Sequence, residues 1–82
     1  MQNYPNPFNP TTIISYQLPI SSNVKIAVYD VLGKEITVLI NSEKPAGKYQ
    51  VSFNASNLSA GLYLYTIQAG EFRSTKKMIL MK

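Results

Sequence analysis

Hydrophobic and polar residues alternate with a period of two along much of this chain. The alternation is clearest over residues 48–54, and it recurs over residues 12–18 and 24–28. Successive side chains of a β-strand point to opposite faces of a sheet, so each segment is predicted to be a strand with one buried face.

Three further strands are predicted from shorter signals. Residues 36–40 return after a turn at Gly33, which can adopt the positive φ that a tight hairpin or a bulge requires. Residues 62–67 are apolar on both faces, which predicts a central strand covered from both sides. Gly70 leads into a last strand over residues 72–81, whose apolar end is predicted to be held in the fold.

Turn residues separate these runs at nearly even spacing, which is typical of a β-sandwich or barrel. The 82 residues have room for one domain. The start differs in kind, because Pro5, Pro7 and Pro10 remove backbone donors and favour an extended backbone. We therefore predict an all-β protein with a proline-rich extended lead-in over residues 1–11 and a single domain of about seven short strands over residues 12–82.

The charge pattern changes this picture little. A formal net charge of +4 invites a nucleic-acid or anionic partner. Most lysines are scattered, however, and cations concentrate only in the last ten residues, as Arg73, Lys76, Lys77 and Lys82. We interpret this basic ending as charges that keep a strand edge from pairing with other chains. Without a groove-reading helix or an aromatic sheet motif, no nucleic-acid partner is predicted.

No segment indicates a membrane span or an export signal. No apolar run approaches the roughly 18 residues that a transmembrane helix needs. The N-terminus has neither the basic nor the apolar region of a signal peptide, and we interpret Met1 as an added start to a fragment.

Residue types that carry catalysis are almost absent. The chain has no histidine and no cysteine, which removes the usual general base, the thiolate nucleophile and most metal-ligand sets. The acids are Asp30, Glu35, Glu43 and Glu71, and no phosphate-binding, dinucleotide-binding or calcium-loop motif accompanies them. We therefore predict that the chain is not an enzyme and has no catalytic residue, cofactor or metal.

Six tyrosines raise the alternative of a ligand platform, since amphipathic rings bind carbohydrate and stack on bases. Tyr16, Tyr49, Tyr63 and Tyr65 share the alternation of their apolar neighbours, which favours packing in the core. The better surface candidates are Tyr4 and Tyr29.

Five segments, in order, resemble the type A C-terminal sorting domain of the bacterial type IX secretion system. They are YPNPFNPTTIISYQLP at residues 4–19, VYDVLGK at 28–34, AGKY at 46–49, LSAGLYLY at 58–65 and KKMILMK at 76–82. Each segment alone is weak, but their order and spacing together make a strong signal.

The resemblance implies an Ig-like antiparallel β-sandwich at the C-terminus of a larger secreted cargo protein. In that family the outer-membrane translocon recognises the folded domain, and a cysteine-type sortase typically removes it at the surface. The cargo is then released or attached to lipopolysaccharide. The implied location is the periplasm in transit, and then the cell surface or the medium.

The resemblance also implies two groups of recognition residues, a lead-in group of Pro5, Asn6 and Pro7 and a terminal group of Lys76, Lys77 and Lys82. Exposed charge near a chain end can steer an encounter with an acidic receptor. The turn glycines are assigned to backbone geometry, because a Cβ would strain the turn. These are Gly33, Gly47, Gly61 and Gly70.

Two alternative functions stay open. One is a structural Ig-like module of a surface or flagellar-type assembly, which shares the hairpin and the tyrosine-rich strand. The other is a carbohydrate-binding or adhesive module that uses Tyr29. A homodimer through an open strand edge is also left open.

Overall fold

Two antiparallel sheets form in the computed structural model, which describes residues 3–4 and 10–81. In chain order the strands are β1 (Asn3–Tyr4), β2 (Thr11–Leu18), β3 (Ser22–Tyr29), β4 (Glu35–Lys44), β5 (Gly47–Asn54), β6 (Gly61–Ala69) and β7 (Phe72–Leu80). One sheet has the order β1-β2-β5 and the other β4-β3-β6-β7, and the described residues include no helix. This confirms the predicted all-β, Ig-like antiparallel β-sandwich of about seven strands.

The period-two alternation marks the buried face of each sheet. Along β2 every second side chain is buried, from Thr12 to Leu18, and the intervening ones are exposed. β5 pairs with β2 over its whole length, and its own alternation ends at the buried Phe53. The residues of β2 and β5 that alternate with these buried positions, most of which are polar, therefore form the outer face of the three-stranded sheet.

The core lies between the sheets. Its fully buried aliphatic and aromatic side chains come from both of them: Ile14, Val24, Ile26, Val28, Tyr65, Ile67, Met78 and Leu80. Burial of one such side chain contributes about 1.5–3 kcal/mol, so this set is the main source of stability. Tyr16 and Tyr63 join it, which confirms the core prediction for three of the tyrosines.

Tyr16 and its cross-strand partner Tyr49 stack at the boundary of the core. Their ring centroids are 5.4 Å apart, and the Lys44 ammonium lies 5.5 Å from the Tyr49 ring centroid. Tyr49 is half-buried and donates its hydroxyl hydrogen to the carbonyl of Pro45 at 2.6 Å. Burial, and to a lesser degree the neighbouring Tyr49, raise the pKa of Tyr16 above its ordinary value.

The prediction for β6 holds for its core face and only in part for the other face. β6 is central in its sheet, but on its outer face Leu62 is 41% exposed, whereas Leu64 is half-buried and Thr66 is buried. The reason is that the described chain supplies only two layers, so both sheets turn their outer faces to solvent.

Residues 3–4, within the segment predicted as an extended lead-in, are paired into a sheet. Asn3–Tyr4 forms β1, which pairs antiparallel with Ile13 and Ile14 of β2. Part of the segment predicted as a lead-in is therefore a strand of the three-stranded sheet.

Candidate recognition surface

Four of the six predicted recognition residues lie outside the described residues. They are Pro5, Asn6, Pro7 and Lys82. Their role in recognition stays a prediction.

Lys76 and Lys77 lie on β7, at one edge of the four-stranded sheet. As neighbours on a strand they point to opposite faces. Lys76 is half-buried on the side of the core, opposite Tyr65, whereas Lys77 is exposed on the outer face, opposite Leu64. The structure therefore does not bring the two lysines into one patch, although both lie where edge charges discourage pairing with other chains.

The four turn glycines all have positive φ values: 86° at Gly33, 153° at Gly47, 148° at Gly61 and 61° at Gly70. The requirement for glycine is strongest at Gly33 and Gly70, which lie at the turns of the β3–β4 and β6–β7 hairpins. A side chain at such a φ clashes with its own backbone.

The β3–β4 turn, residues 30–34, is held by a dense set of hydrogen bonds, and we call it the hairpin tip. The Oδ1 atom of Asp30 accepts from the backbone N–H groups of Leu32 and Lys34, both at 2.9 Å. The backbone adds bonds from Asp30 N to Lys34 O at 3.0 Å and from Gly33 N to Asp30 O at 3.1 Å. An aspartate that bonds its own turn in this way fixes the local backbone.

This rigid turn presents two aliphatic side chains to solvent. Leu32 is 90% exposed and Val31 is 60% exposed. Neither belongs to the core or to the hydrophobic residues packed against it. The fold therefore gains no apolar burial from Leu32.

Other exposed apolar side chains lie at the same end of the sandwich. Antiparallel pairing brings the start of β6 and the end of β7 beside the end of β3. Leu62 and Ile79 face each other across the outer side of this end, and Met81 follows β7. With the hairpin tip they form what we call the hairpin-end surface: Val31, Leu32, Leu62, Ile79 and Met81.

The adjoining β5–β6 loop is also held by hydrogen bonds. The backbone N–H of Ala55 donates to the carbonyl of Pro10 at 2.9 Å, and the Tyr63 hydroxyl donates to the carbonyl of Ser59 at 2.6 Å. Asn54 Oδ1 accepts from the N–H of Ser56 at 2.9 Å, so this asparagine shapes the start of the loop. These bonds fix the loop that leads into the start of β6.

The opposite end of the sandwich holds an apolar groove of about 650 Å³. The β2–β3 connection and the β6–β7 turn line it, with Leu18, Pro19, Ile20, Ala69 and Phe72 as its apolar walls and Glu71 among its polar lining. Of these wall residues, Ile20 has a side chain that is 70% exposed.

Charges on the outer face of the four-stranded sheet are partly paired. Lys25 Nζ lies 3.9 Å from Glu35 Oε1, across the row of the sheet that holds Ala27 and Val38. Ala27 is 2% exposed although it points outward. We attribute this burial to the aliphatic stem of Lys25, which must pass over Ala27 to reach Glu35.

Among the residues that the structure describes, no group of three carboxylates comes together in a way that could hold a metal ion. The same residues include no helix long and apolar enough to cross a membrane.

The exposed hairpin tip was missed in the sequence, although a signal for it is present. Val31 and Leu32 occupy a turn, where polar residues are the rule. Of this turn only Gly33 was interpreted, and its role was assigned to backbone geometry.

Most of the chain matches the model of a known protein family. A family model described as secretion system C-terminal sorting domain matches residues 2–81. Searches of curated proteins and of solved structures gave no match.

Proposed function

This chain belongs to the secretion system C-terminal sorting domain family, and we propose that the outer-membrane translocon of a type IX secretion system recognises its folded sandwich. The match to the family over residues 2–81, which includes all seven strands, carries the proposal. As a C-terminal sorting signal for type IX secretion, the domain is part of a larger cargo protein that is exported to the cell surface or the medium.

We further propose that the domain is acted upon and does not itself catalyse. With neither histidine nor cysteine, it lacks the groups that usually cleave a peptide bond. Removal of the domain then falls to a separate sortase, after passage of the cargo through the periplasm. Attachment or release of the cargo depends on that enzyme.

A carbohydrate-binding function has less support. Tyr16, Tyr63 and Tyr65 are buried, and Tyr29 and Tyr49 are half-buried, so these five tyrosines do not form an exposed platform of rings. An assembly module has no specific observation in its favour.

The test is a fusion of residues 1–82 to the C-terminus of a periplasmic reporter, expressed in a bacterium that has a type IX system. We expect the reporter at the surface or in the medium, and in the periplasm of a strain without the translocon. A matched control carries Ile26→Asp, which places a charge at a fully buried position and prevents folding. Retention of the unaltered fusion in the periplasm would refute the proposal.

Removal by a sortase has its own measurement. The mass of the exported reporter is expected to lack the domain in the sortase-competent strain and to keep it in a sortase-deficient strain. Equal masses in the two strains would show that the domain is not removed by that enzyme.

A further inference from the structure

We propose that the hairpin tip is a contact through which the secretion machinery recognises this domain. Leu32 inserts into an apolar pocket of a partner protein, and Lys34 meets a carboxylate at the border of that pocket. The inference rests on the proposed function and names the chemistry of the partner's surface.

The first argument is the exposure of Leu32. Leu32 is the most exposed of the large hydrophobic side chains among the described residues, and it does not belong to the core. Burial of a leucine side chain in a partner strengthens binding by about tenfold to a hundredfold. An aliphatic side chain that fills a pocket of the partner can serve as an anchor at the buried centre of an interface.

The second argument is the rigidity of the turn that carries Leu32. The backbone N–H of Leu32 itself donates to Asp30 Oδ1. Two further bonds join the ends of the turn: the N–H of Lys34 donates to Asp30 Oδ1, and the N–H of Asp30 donates to the carbonyl of Lys34. An anchor whose backbone is already fixed loses little conformational freedom when it binds. A mobile loop with the same residues would bind more weakly.

The third argument is the charge beside the anchor. The Asp30 carboxylate accepts two backbone amides, and Glu35 faces Lys25. Lys34 forms no ion pair with any other described residue, so its ammonium group is available next to Leu32. Complementary charge at the rim of an interface selects the partner and raises the association rate. A carboxylate on the partner meets this requirement.

A second copy of this chain fits the tip less well. Contact between two hairpin tips would bring the Lys34 ammonium groups of both copies together. The apolar groove at the opposite end, with Glu71, could accept Leu32 only in a head-to-tail arrangement. Such a heterologous contact joins two different surfaces, so it leaves one tip and one groove unpaired unless the copies close into a ring.

The experiment compares matched substitutions at the two ends of the sandwich in the reporter fusion. Leu32→Asp is paired with Ile20→Asp, since both side chains are exposed aliphatic groups in connections between strands. Lys34→Glu is paired with Lys48→Glu, which reverses an exposed charge at the other end. Unfolding midpoints in urea, measured on each purified 82-residue domain, establish that the variants fold.

Leu32→Asp is expected to lower the rate of surface appearance by about tenfold or more, and Lys34→Glu by about threefold, an effect that weakens at high salt. Both controls are expected to stay within about twofold of the unaltered fusion, a range typical of residues outside the energetic centre of an interface.

Several outcomes would overturn the inference. If the unaltered fusion and Leu32→Asp are exported alike, the proposed function stands and the hairpin contact is refuted. If Ile20→Asp lowers export as much as Leu32→Asp, the effect belongs to surface charge in general. If sedimentation shows that Leu32→Asp abolishes self-association while export is unchanged, a second copy is the occupant. If the unaltered fusion remains in the periplasm, the proposed function and this inference fail together.

Discussion

Asp30→Ala tests the account of the hairpin tip most directly. The substitution removes the carboxylate whose Oδ1 accepts the N–H groups of Leu32 and Lys34 at 2.9 Å. Hydrogen bonds to a charged group contribute about 1.5–3 kcal/mol at most, but these amides are exposed and water can replace the acceptor, so we take about 0.5–1 kcal/mol for each. The expected loss in the free energy of unfolding is therefore about 1–2 kcal/mol.

Urea unfolding followed by tyrosine fluorescence measures this loss, since the chain has six tyrosines and no tryptophan. Asp30→Asn keeps one acceptor oxygen without the charge, and about half of the loss is expected. Glu71→Ala is the matched control, because its carboxylate lies in the β6–β7 turn and makes no hydrogen bond with another described residue. A loss for Asp30→Ala no larger than that for Glu71→Ala would refute the reasoning.

Asp30→Ala and Leu32→Asp are expected to separate stability from recognition. Leu32→Asp leaves the unfolding midpoint nearly unchanged, because the side chain is exposed, yet it lowers export. Asp30→Ala lowers both, since it loosens the turn that presents Leu32. If the two variants reduced export only in proportion to lost stability, the tip would be structural and not a contact.

Three further predictions concern the sandwich itself. Ile26→Val, at a fully buried position, is expected to lower the free energy of unfolding by about 0.5–1.5 kcal/mol, whereas Ile13→Val at an exposed position costs less than about 0.5 kcal/mol; similar losses would contradict the burial assigned to Ile26. Burial raises the pKa of Tyr16 above its ordinary value of 10.0, so the stability that its neutral hydroxyl contributes is fully present below pH 10.0 and is lost as the pH rises through the raised pKa. Raising the pH from about 9 to about 11 should therefore lower the free energy of unfolding more for the unaltered domain than for Tyr16→Phe, as measured by urea denaturation. Equal dependence of that free energy on pH in the two proteins would argue against the shift. A double-mutant cycle on the exposed pair of Lys25 and Glu35 should give a coupling below about 0.5 kcal/mol, and a value above about 1 kcal/mol would show that the pair is better shielded than its exposure indicates.

The local pattern of the sequence was enough to predict the strands and their buried faces. Alternation is a property of neighbouring residues, because each strand turns successive side chains to opposite sides. The buried residues of β2, such as Ile14 and Tyr16, follow from it directly. The positive φ of Gly33 and Gly70 has the same local origin, since a tight turn demands it of the residue itself.

Tertiary structure alone decided which strands are neighbours and what covers each face. The outer side of β6 was predicted to be covered throughout, but Leu62 is 41% exposed there, because full coverage needs a third layer that the described chain does not supply. Lys76 and Lys77 are adjacent in sequence, yet their separation onto two faces matters only once β7 is placed at the edge of its sheet.

The hairpin tip shows the same division. Asp30 and Gly33 in the sequence determine a turn, because their side-chain and backbone chemistry acts within five residues. Whether Leu32 in that turn is buried or exposed depends on what distant segments pack against it, and none of the described ones does. The sequence by itself therefore determines the rigid turn, and the tertiary structure decides that the turn presents an apolar anchor to solvent.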